Sequence, residues 1–252
     1  METPQPAPSL WAGLVRSSAQ GPLPVLLLVL TAATGVIDAV SILALGRVFV
    51  ANMTGNVVFL GMALAHAPGF SLAASLAAIA GFLLGAFAGG AVLRRRDGHR
   101  GRLLRDMGAA ELALAAAALV LTAIAPTGAV SLTVVAALLA IAMGLQNTVA
   151  RQLAVPDLTT TVLTMTLTGL AADIRSSGGS ATITRRLLAV LTMFAGALTG
   201  TLLVLHAPLP WALALVVVLL GVVVLVAILR SKRTEQWHAG SRRPLAPVVA
   251  TQ

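Results

Sequence analysis

Long apolar runs separated by short polar stretches make up most of the chain. A transmembrane helix needs roughly 20 apolar residues. The runs that reach about that length are residues 23–46, 71–93, 107–125, 129–150, 187–206 and 209–229. Two shorter apolar runs lie at residues 51–65 and 158–172. The pattern predicts an all-α polytopic membrane protein with about six transmembrane helices plus two short broken or re-entrant segments.

Composition and charge agree with that architecture. Hydrophobic residues make up 58% of the 252 residues and charged residues only 10%, a balance outside that of soluble domains. The net charge is +9. Most Lys and Arg residues flank the apolar runs, in residues 94–105, at Arg175, Arg185 and Arg186, and from Arg230 to Arg243. This is the positive-inside pattern of cytoplasmic loops, so we expect anionic lipid headgroups, and no nucleic acid, as their partner.

The same charge bias predicts the topology. Placing all three basic stretches on one side gives six spans with both termini in the cytoplasm. Residues 1–22 are Pro-rich and predict a disordered cytoplasmic tail, residues 23–229 the membrane domain, and residues 230–252 a basic cytoplasmic tail. A seven-span alternative stays open, in which residues 51–65 also cross and the N-terminus lies outside.

A weak internal repeat divides the membrane domain. The sequence GVID beginning at Gly35 matches the sequence GLQN beginning at Gly144. The repeat predicts two related halves, residues 23–125 and 129–229, each with three long spans and one short segment. Because three is an odd number, the second half is expected to be inverted relative to the first, as in many transporters with broken helices.

Glycine stripes support the repeat. Gly81, Gly85 and Gly89 recur every four residues in the second long run, as do Gly196 and Gly200 in the fifth. Aligning the two runs pairs Gly81 with Gly196 and Gly85 with Gly200, which requires a few residues to be inserted in the second half. Small residues at this spacing let helix backbones approach closely, so we interpret the stripes as packing positions.

Polar residues inside the apolar runs are candidates for a binding site. Asp38 lies near the middle of the first span, where a charge costs about 3 kcal/mol and must face protein, water or a ligand. Residues 52–56 begin a short helix, and the N–H groups at such an end can hold an anion. The residues predicted to bind a solute or ion are Asp38, Ser41, Asn52, Thr54, Asn56, Asn147, Thr161 and Thr164.

Structural interpretations of these residues stay open. The Asp38 carboxyl can be hydrogen-bonded to the backbone or to Arg47, and the asparagines can be helix caps that bind no ligand. Asp157 is interpreted as a helix cap. Glu111, about one turn inside the third span, either relays protons with Asp38 or pairs with Arg105.

The segment TGVIDAVSILALGRVFVANMTGNVVFLGMALA, residues 34–65, resembles the signature of the bacterial YoaK-like membrane proteins, grouped as domain of unknown function 1275. The similarity includes GLQNTVARQLAVPDLTTTVLTMTLTGLAADI, residues 144–174, and extends over roughly residues 24–229. It implies about six membrane helices and a small multi-pass protein of the bacterial inner membrane. The family is uncharacterised, so the resemblance implies no substrate.

These observations favour a small-solute or ion permease that is coupled to protons through Asp38. No Ser/His/Asp set, phosphate-binding glycine loop or His/Cys cluster is found in the sequence, so we expect no enzymatic activity, no metal and no cofactor. The alternatives are a non-transporting membrane scaffold or accessory subunit and a membrane-embedded enzyme. The expected partners are the lipid bilayer and an unknown small solute or ion, and a homo-oligomer is compatible with the sequence.

Overall fold

The computed structural model describes residues 20–95, 99–124, 128–155, 158, 160, 163–175, 180–231 and 237. Within these residues the chain forms eight helices. In chain order they are α1 (Leu23–Ala44), α2 (Met53–Leu64), α3 (Leu72–Arg95), α4 (Arg100–Ile124), α5 (Ala129–Leu153), α6 (Leu163–Arg175), α7 (Ser180–His206) and α8 (Leu209–Ser231).

Six of these helices, α1, α3, α4, α5, α7 and α8, are long and apolar enough to cross a membrane. They correspond to the six long apolar runs, so the predicted all-α membrane fold is confirmed. α4 and α7 begin about two turns earlier than predicted, at Arg100 and Ser180. Their first two turns carry basic residues. Arg100 is buried and donates to the Leu153 carbonyl, whereas the exposed Arg102 can extend its side chain to the lipid–water interface while the backbone stays helical. Part of the basic stretch 94–105 is therefore helix and not loop.

The two short helices are too short to cross a bilayer. α2 contains 12 residues and α6 contains 13. At 1.5 Å per residue they are about 18–20 Å long, whereas the hydrocarbon core is about 30 Å thick. The structure therefore favours the six-span arrangement over the seven-span alternative.

A sharp turn separates α1 from α2. Gly46 has a φ of 94° and Arg47 a φ of 54°. Positive φ angles suit glycine and are uncommon for a residue with a side chain, so the backbone at Arg47 is held by its surroundings. The turn buries Leu45, Val48 and Val50. These three residues of the turn therefore belong to the packed interior, whereas Gly46, Arg47 and Asn52 are exposed.

Most helix contacts recur when the two predicted halves are exchanged, although the contact of α7 with α8 has no counterpart of similar extent between α3 and α4. α1 packs against α7 and α8, while α5 packs against α3 and α4. α2 packs on α3, and α6 packs on α7. α1 also contacts α5, and α4 contacts α8. The first helix of each half thus packs mainly against the third and fourth helices of the other half.

Glycines allow the first helix of each half to approach the third helix of the other. A Cβ atom at Gly35 would overlap the backbone carbonyl of Met193, and one at Gly144 would overlap that of Phe82. Gly35 and Gly144 are equivalent in the repeat, and each faces a main-chain carbonyl of the third helix in the other half. The close approach at one crossing is therefore repeated at the other.

The register of the glycine stripes differs from the prediction. Gly85 contacts Ile141, and Gly196 contacts Ala32. Ala32 and Ile141 each lie three positions before the equivalent glycines Gly35 and Gly144, so they are equivalent to each other. Gly85, and not Gly81, is therefore the structural counterpart of Gly196.

The same correction applies one turn further along. Gly89 contacts Thr148, and Gly200 contacts Ala39. Ala39 and Thr148 are again equivalent, each lying four positions after Gly35 or Gly144. A shift of one turn keeps a stripe on the same helix face, so the sequence pattern alone does not distinguish the two registers. The interpretation of the stripes as packing positions holds, whereas the predicted pairing was wrong by one turn.

The outer surface of the helices is apolar. Phe87 on α3, Phe194 on α7 and Trp211 on α8 are each more than 60% exposed. Large apolar side chains exposed in this number suit a lipid environment and would be unfavourable in water.

Candidate functional site

A buried polar contact joins α1 to α5 where the two helices cross. Thr34 Oγ1 lies 4.0 Å from the sulfur of Met143, and Gln146 Nε2 donates a hydrogen bond to Thr34 Oγ1 at 2.9 Å. Thr34 is 0% exposed and Gln146 is 3% exposed. Polar groups inside a membrane protein need internal partners because the hydrocarbon supplies none. This contact is therefore a specific link between the two halves.

The hydrogen bonds of Thr34 are consistent with the orientation of the Gln146 amide. Thr34 Oγ1 donates to the Leu30 carbonyl at 2.9 Å and accepts from Gln146 Nε2 at 2.9 Å. Gln146 Oε1 is left buried and has no hydrogen-bond partner among the described residues.

A small cavity lies beside Gln146, between α1, α4 and α5. It has room for at most about one water molecule. Its polar side chains are those of Glu111 and Gln146. The other lining residues are Leu27, Leu30, Leu104, Met107, Gly108, Val149, Ala150 and Leu153.

Glu111 is buried deep in the membrane domain. It is 3% exposed, and its Oε1 has no hydrogen-bond partner in the part of the chain that the structure describes. Because α4 begins at Arg100, Glu111 lies about three turns inside the helix and not about one turn, as predicted. The alternative pairing with Arg105 is wrong, since Arg105 binds the Asp106 carboxylate at 2.7 Å instead.

The residues that line the cavity show that α1 and α5 run antiparallel. On α1 the lining residues precede Thr34, whereas on α5 they include Val149 and Leu153, which follow Met143. Positions before the crossing on α1 therefore lie beside positions after the crossing on α5. It follows that the C-terminal parts of the two helices extend to opposite sides of the crossing.

Asp38 and Asn147 are separated by this geometry. They are equivalent in the repeat, four residues after Thr34 and after Met143 respectively. They therefore lie on opposite sides of the crossing, and the structure does not bring them together in one site. Asn147 Nδ2 donates to the Met143 carbonyl at 3.1 Å, within its own helix.

The turn after α1 covers Asp38. The backbone N–H of Ala51 hydrogen-bonds to the Asp38 carboxyl, while Asp38 Oδ1 is buried without a partner among the described residues. The buried Ser41 hydroxyl donates to the main-chain carbonyl of Asp38 at 2.9 Å and not to its carboxylate. No ion pair joins Asp38 to Arg47 in the described structure, so the backbone alternative applies. Asp38 lies about 9 Å from the end of α1, nearer the end of the span than predicted.

The three polar residues at the start of α2 have different surroundings. Asn56 is 0% exposed, and its side-chain amide accepts from the Phe49 N–H at 2.8 Å and donates to the Phe49 carbonyl at 2.5 Å. It therefore holds the turn onto α2 with both ends of its amide. Asn52 is the N-cap residue, but its side chain makes no capping hydrogen bond. Asn52 and Thr54 are both exposed, and their side chains are the ones available to a ligand.

The second short segment lies apart from the first. Thr164 is exposed on α6, which packs on α7, whereas α2 packs on α3. Thr161 and Asp157, predicted as a binding residue and a cap, lie outside the described residues. Thr160 is buried, and its Oγ1 has no hydrogen-bond partner in the described part of the chain.

Thr34 and Gln146 were not among the predicted site residues. Both are polar residues inside apolar runs, and Gln146 directly precedes Asn147. That signal is weak, because threonine commonly satisfies itself within a helix, as Thr31 does by bonding to Leu27. Only the helix crossing shows that these two side chains meet.

Comparison with known proteins places the chain in a family. The family model described as "Protein of unknown function (DUF1275)" matches residues 26–226. The UPF0700 transmembrane protein YoaK of Bacillus subtilis (strain 168) is 35% identical over 152 residues, which are 59% of this chain and 64% of that protein. The match therefore spans less than two thirds of that relative. No solved structure matches the chain. With its six apolar helices, the chain is a multi-pass membrane protein that belongs to the DUF1275 family of unknown function.

Proposed function

We propose that the protein is a small-solute or ion permease of the bacterial inner membrane, built from two inverted halves and coupled to protons. The crossing of α1 and α5 is the observation that carries this proposal. There the two halves meet through buried polar groups, and a carboxyl with an unpartnered oxygen lies on each side. Asp38 lies on the side of the α1–α2 turn, and Glu111 lies on the side of the cavity.

The inverted arrangement is supported by the direction of the helices. Helices that are equivalent in an inverted repeat must run in opposite directions, and α1 and α5 run antiparallel. The exchange of packing partners between the halves is also what a twofold relationship would produce. Secondary transporters with inverted repeats have their binding sites near the repeat interface, at broken helices.

The buried carboxyls favour transport over a purely structural role. A carboxylate in the membrane interior lowers the stability of the inserted helix by about 3 kcal/mol even on lenient scales. A scaffold has no use for a charge at this depth. Ionisable residues inside membrane helices commonly mark ion pathways and proton relays. Asp38 and Glu111, on opposite sides of the crossing, would be the residues of such a relay.

The crossing itself is suited to a conformational change. A hydrogen bond such as that between Gln146 and Thr34 contributes about 1 kcal/mol net, so it can break and re-form at low cost. The glycine contacts keep each first helix close to the third helix of the other half. These two features support rocking of the halves about the crossing as the movement that alternates access.

Flux measurements test this function. The purified full-length protein is reconstituted in proteoliposomes, and uptake of inorganic ions and small organic acids is followed with and without an imposed pH gradient. We expect saturable flux of at least one solute that changes with the gradient. Protein-free liposomes and Asp38→Asn proteoliposomes are the controls. A scaffold or accessory subunit would give no saturable flux for any solute, and that result would reject the permease.

A further inference from the structure

We infer that the cavity between α1, α4 and α5 is a proton-binding site, in which Glu111 carries the proton and Gln146 receives its hydrogen bond. This inference rests on the proposed permease and names the group that takes up the coupling proton. Both residues line the cavity and are 3% exposed. Each has an Oε1 that is buried without a partner among the described residues.

Protonation would satisfy both unpartnered atoms at once. An ionised carboxylate and an amide oxygen are both acceptors, so neither can satisfy the other. A proton on Glu111 turns one acceptor into an O–H donor. Because both residues line the same cavity, that donor would bond to Gln146 Oε1 directly or through one water molecule.

The amide of Gln146 directs Nε2 towards Thr34 Oγ1 at 2.9 Å, while the Thr34 hydroxyl donates to the Leu30 carbonyl at 2.9 Å. Turning the amide would break the first bond and would require the Thr34 hydroxyl to leave Leu30 and donate to Gln146 Oε1 instead. In the arrangement described, Gln146 Oε1 is buried without a partner among the described residues, and only a donor can satisfy it.

The lining of the cavity favours a proton over a metal ion. Ca²⁺ takes about 6–8 oxygen ligands and Mg²⁺ demands an octahedral set, whereas only two side chains here offer oxygen atoms. The remaining walls are aliphatic side chains, methionine and glycine. A proton needs only the carboxyl and one acceptor.

No charged group on the neighbouring helices lines the cavity beside Glu111. Glu111 is the only titratable residue among those lining it. The other titratable groups on α1, α4, α5 and α8 are Asp38, Arg100, Arg102, Arg105, Asp106, Arg151 and Arg230. None of them lines the cavity, so the occupancy of the site by a proton is set mainly by Glu111 itself.

The proton would also act on the contact between the halves. The nitrogen of the Gln146 amide donates to Thr34 on α1, and its oxygen is left for Glu111 on α4. One amide group therefore connects Glu111 to α1. Accepting a hydrogen bond at Oε1 polarises the amide and strengthens donation from Nε2. Loading the site would therefore tighten the crossing, and release of the proton would loosen it.

Infrared difference spectroscopy of the purified protein tests the site without any transport assay. A pH titration of the Asp38→Asn protein, which lacks the other buried carboxyl of the proposed relay, should reveal the C=O band of protonated Glu111, and adding Glu111→Gln should remove that band. Asp106→Asn is the matched control on the same helix, because Asp106 is a partly buried carboxyl already bound to Arg105, and its substitution should leave the band in place. The titration is repeated with choline in place of sodium, and a proton site gives the same curve in both.

A second variant keeps the test decisive if Glu111→Gln does not accumulate. Gln146→Met removes the acceptor but keeps Glu111 and the side-chain volume. Without its acceptor the protonated form is less favoured, so the midpoint of the band should move to lower pH by roughly one unit. An unmoved midpoint would overturn the inference, as would a band that survives Glu111→Gln or a curve that depends on sodium. Because the readout is spectroscopic, it is independent of the flux assay. The titration can reject the proton site while flux is observed, and it can support the site while no flux is observed.

Discussion

Thr34 on α1 and Met143 on α5 contact each other at 4.0 Å, and they are equivalent positions of the repeat, each directly preceding its glycine, Gly35 or Gly144. In the proposed inverted repeat, a residue that contacts its own counterpart lies near the axis that relates the two halves. The hydrogen bond from Gln146 to Thr34 lies beside this contact. Structural changes at this point act on both halves together, which is why several of the following predictions concern it and its neighbours.

Gly144→Ala should destabilise the protein. The new Cβ would overlap the Phe82 carbonyl, so α5 and α3 must separate, at a cost of roughly 1–3 kcal/mol. Gly221→Ala is the matched control, because a Cβ there meets nothing within 4 Å, and it should be neutral or slightly stabilising. Thermal unfolding in detergent compares the two. Equal melting temperatures would show that the close crossing is not needed.

Asn56→Ala should loosen the turn between α1 and α2. It leaves the partly buried N–H and carbonyl of Phe49 without their amide partner, at a cost of about 1 kcal/mol for each hydrogen bond. Asn52→Ala serves as control, since Asn52 is exposed and makes no capping bond. The melting temperature should fall for the first variant only. If Asn52 contacts a solute, its substitution should lower flux without lowering stability.

Arg100→Met should weaken the packing of α4 on α5. The buried Arg100 guanidinium donates to the Leu153 carbonyl at the end of α5, and a hydrogen bond from a charged group contributes about 1.5–3 kcal/mol. Arg102→Met removes an exposed charge two residues away and should have little effect. Denaturation in mixed detergent measures the difference. A comparable loss in both variants would assign the effect to net charge instead of the hydrogen bond.

Asp38→Asn should leave folding and membrane insertion intact and remove the pH dependence of transport, because the neutral amide cannot carry a proton. Asn147→Asp should add a second titrating group or stall turnover, since it places a carboxyl at the equivalent position of the other half. Flux in proteoliposomes across a series of pH values tests both. A wild-type pH profile for Asp38→Asn would contradict the coupling role, and failure to accumulate in the membrane would assign Asp38 a structural one.

The six-span topology places residues 94–105 and the tail after Arg230 in the cytoplasm, with both termini on that side. Reporter fusions after these positions should give cytoplasmic signals, and fusions near His66 and His206 should give signals from outside. An external signal from either basic stretch would require a different number of spans.

Much of the fold follows from the sequence by itself. The length of an apolar run and the thickness of a bilayer are enough to predict six spanning helices and two short ones, because each depends on local composition. Asp38 was recognisable as unusual for the same reason, since any charge inside an apolar run needs an explanation. The recurrence of glycines every four residues likewise showed that helices approach closely, whatever their partners.

Tertiary structure decided what a repeating pattern leaves undetermined. A stripe of small residues fits its partner equally well after a shift of one turn, so only the packed helices show that Gly85 and Gly196 correspond. The separation of Asp38 from Asn147 depends on the direction in which α1 and α5 cross, which local sequence does not encode. Gln146 is a candidate site residue for the same reason. Thr34 and Glu111 lie on other helices, and whether a buried polar group is satisfied depends on the hydrogen-bond donors and acceptors that those helices place next to it.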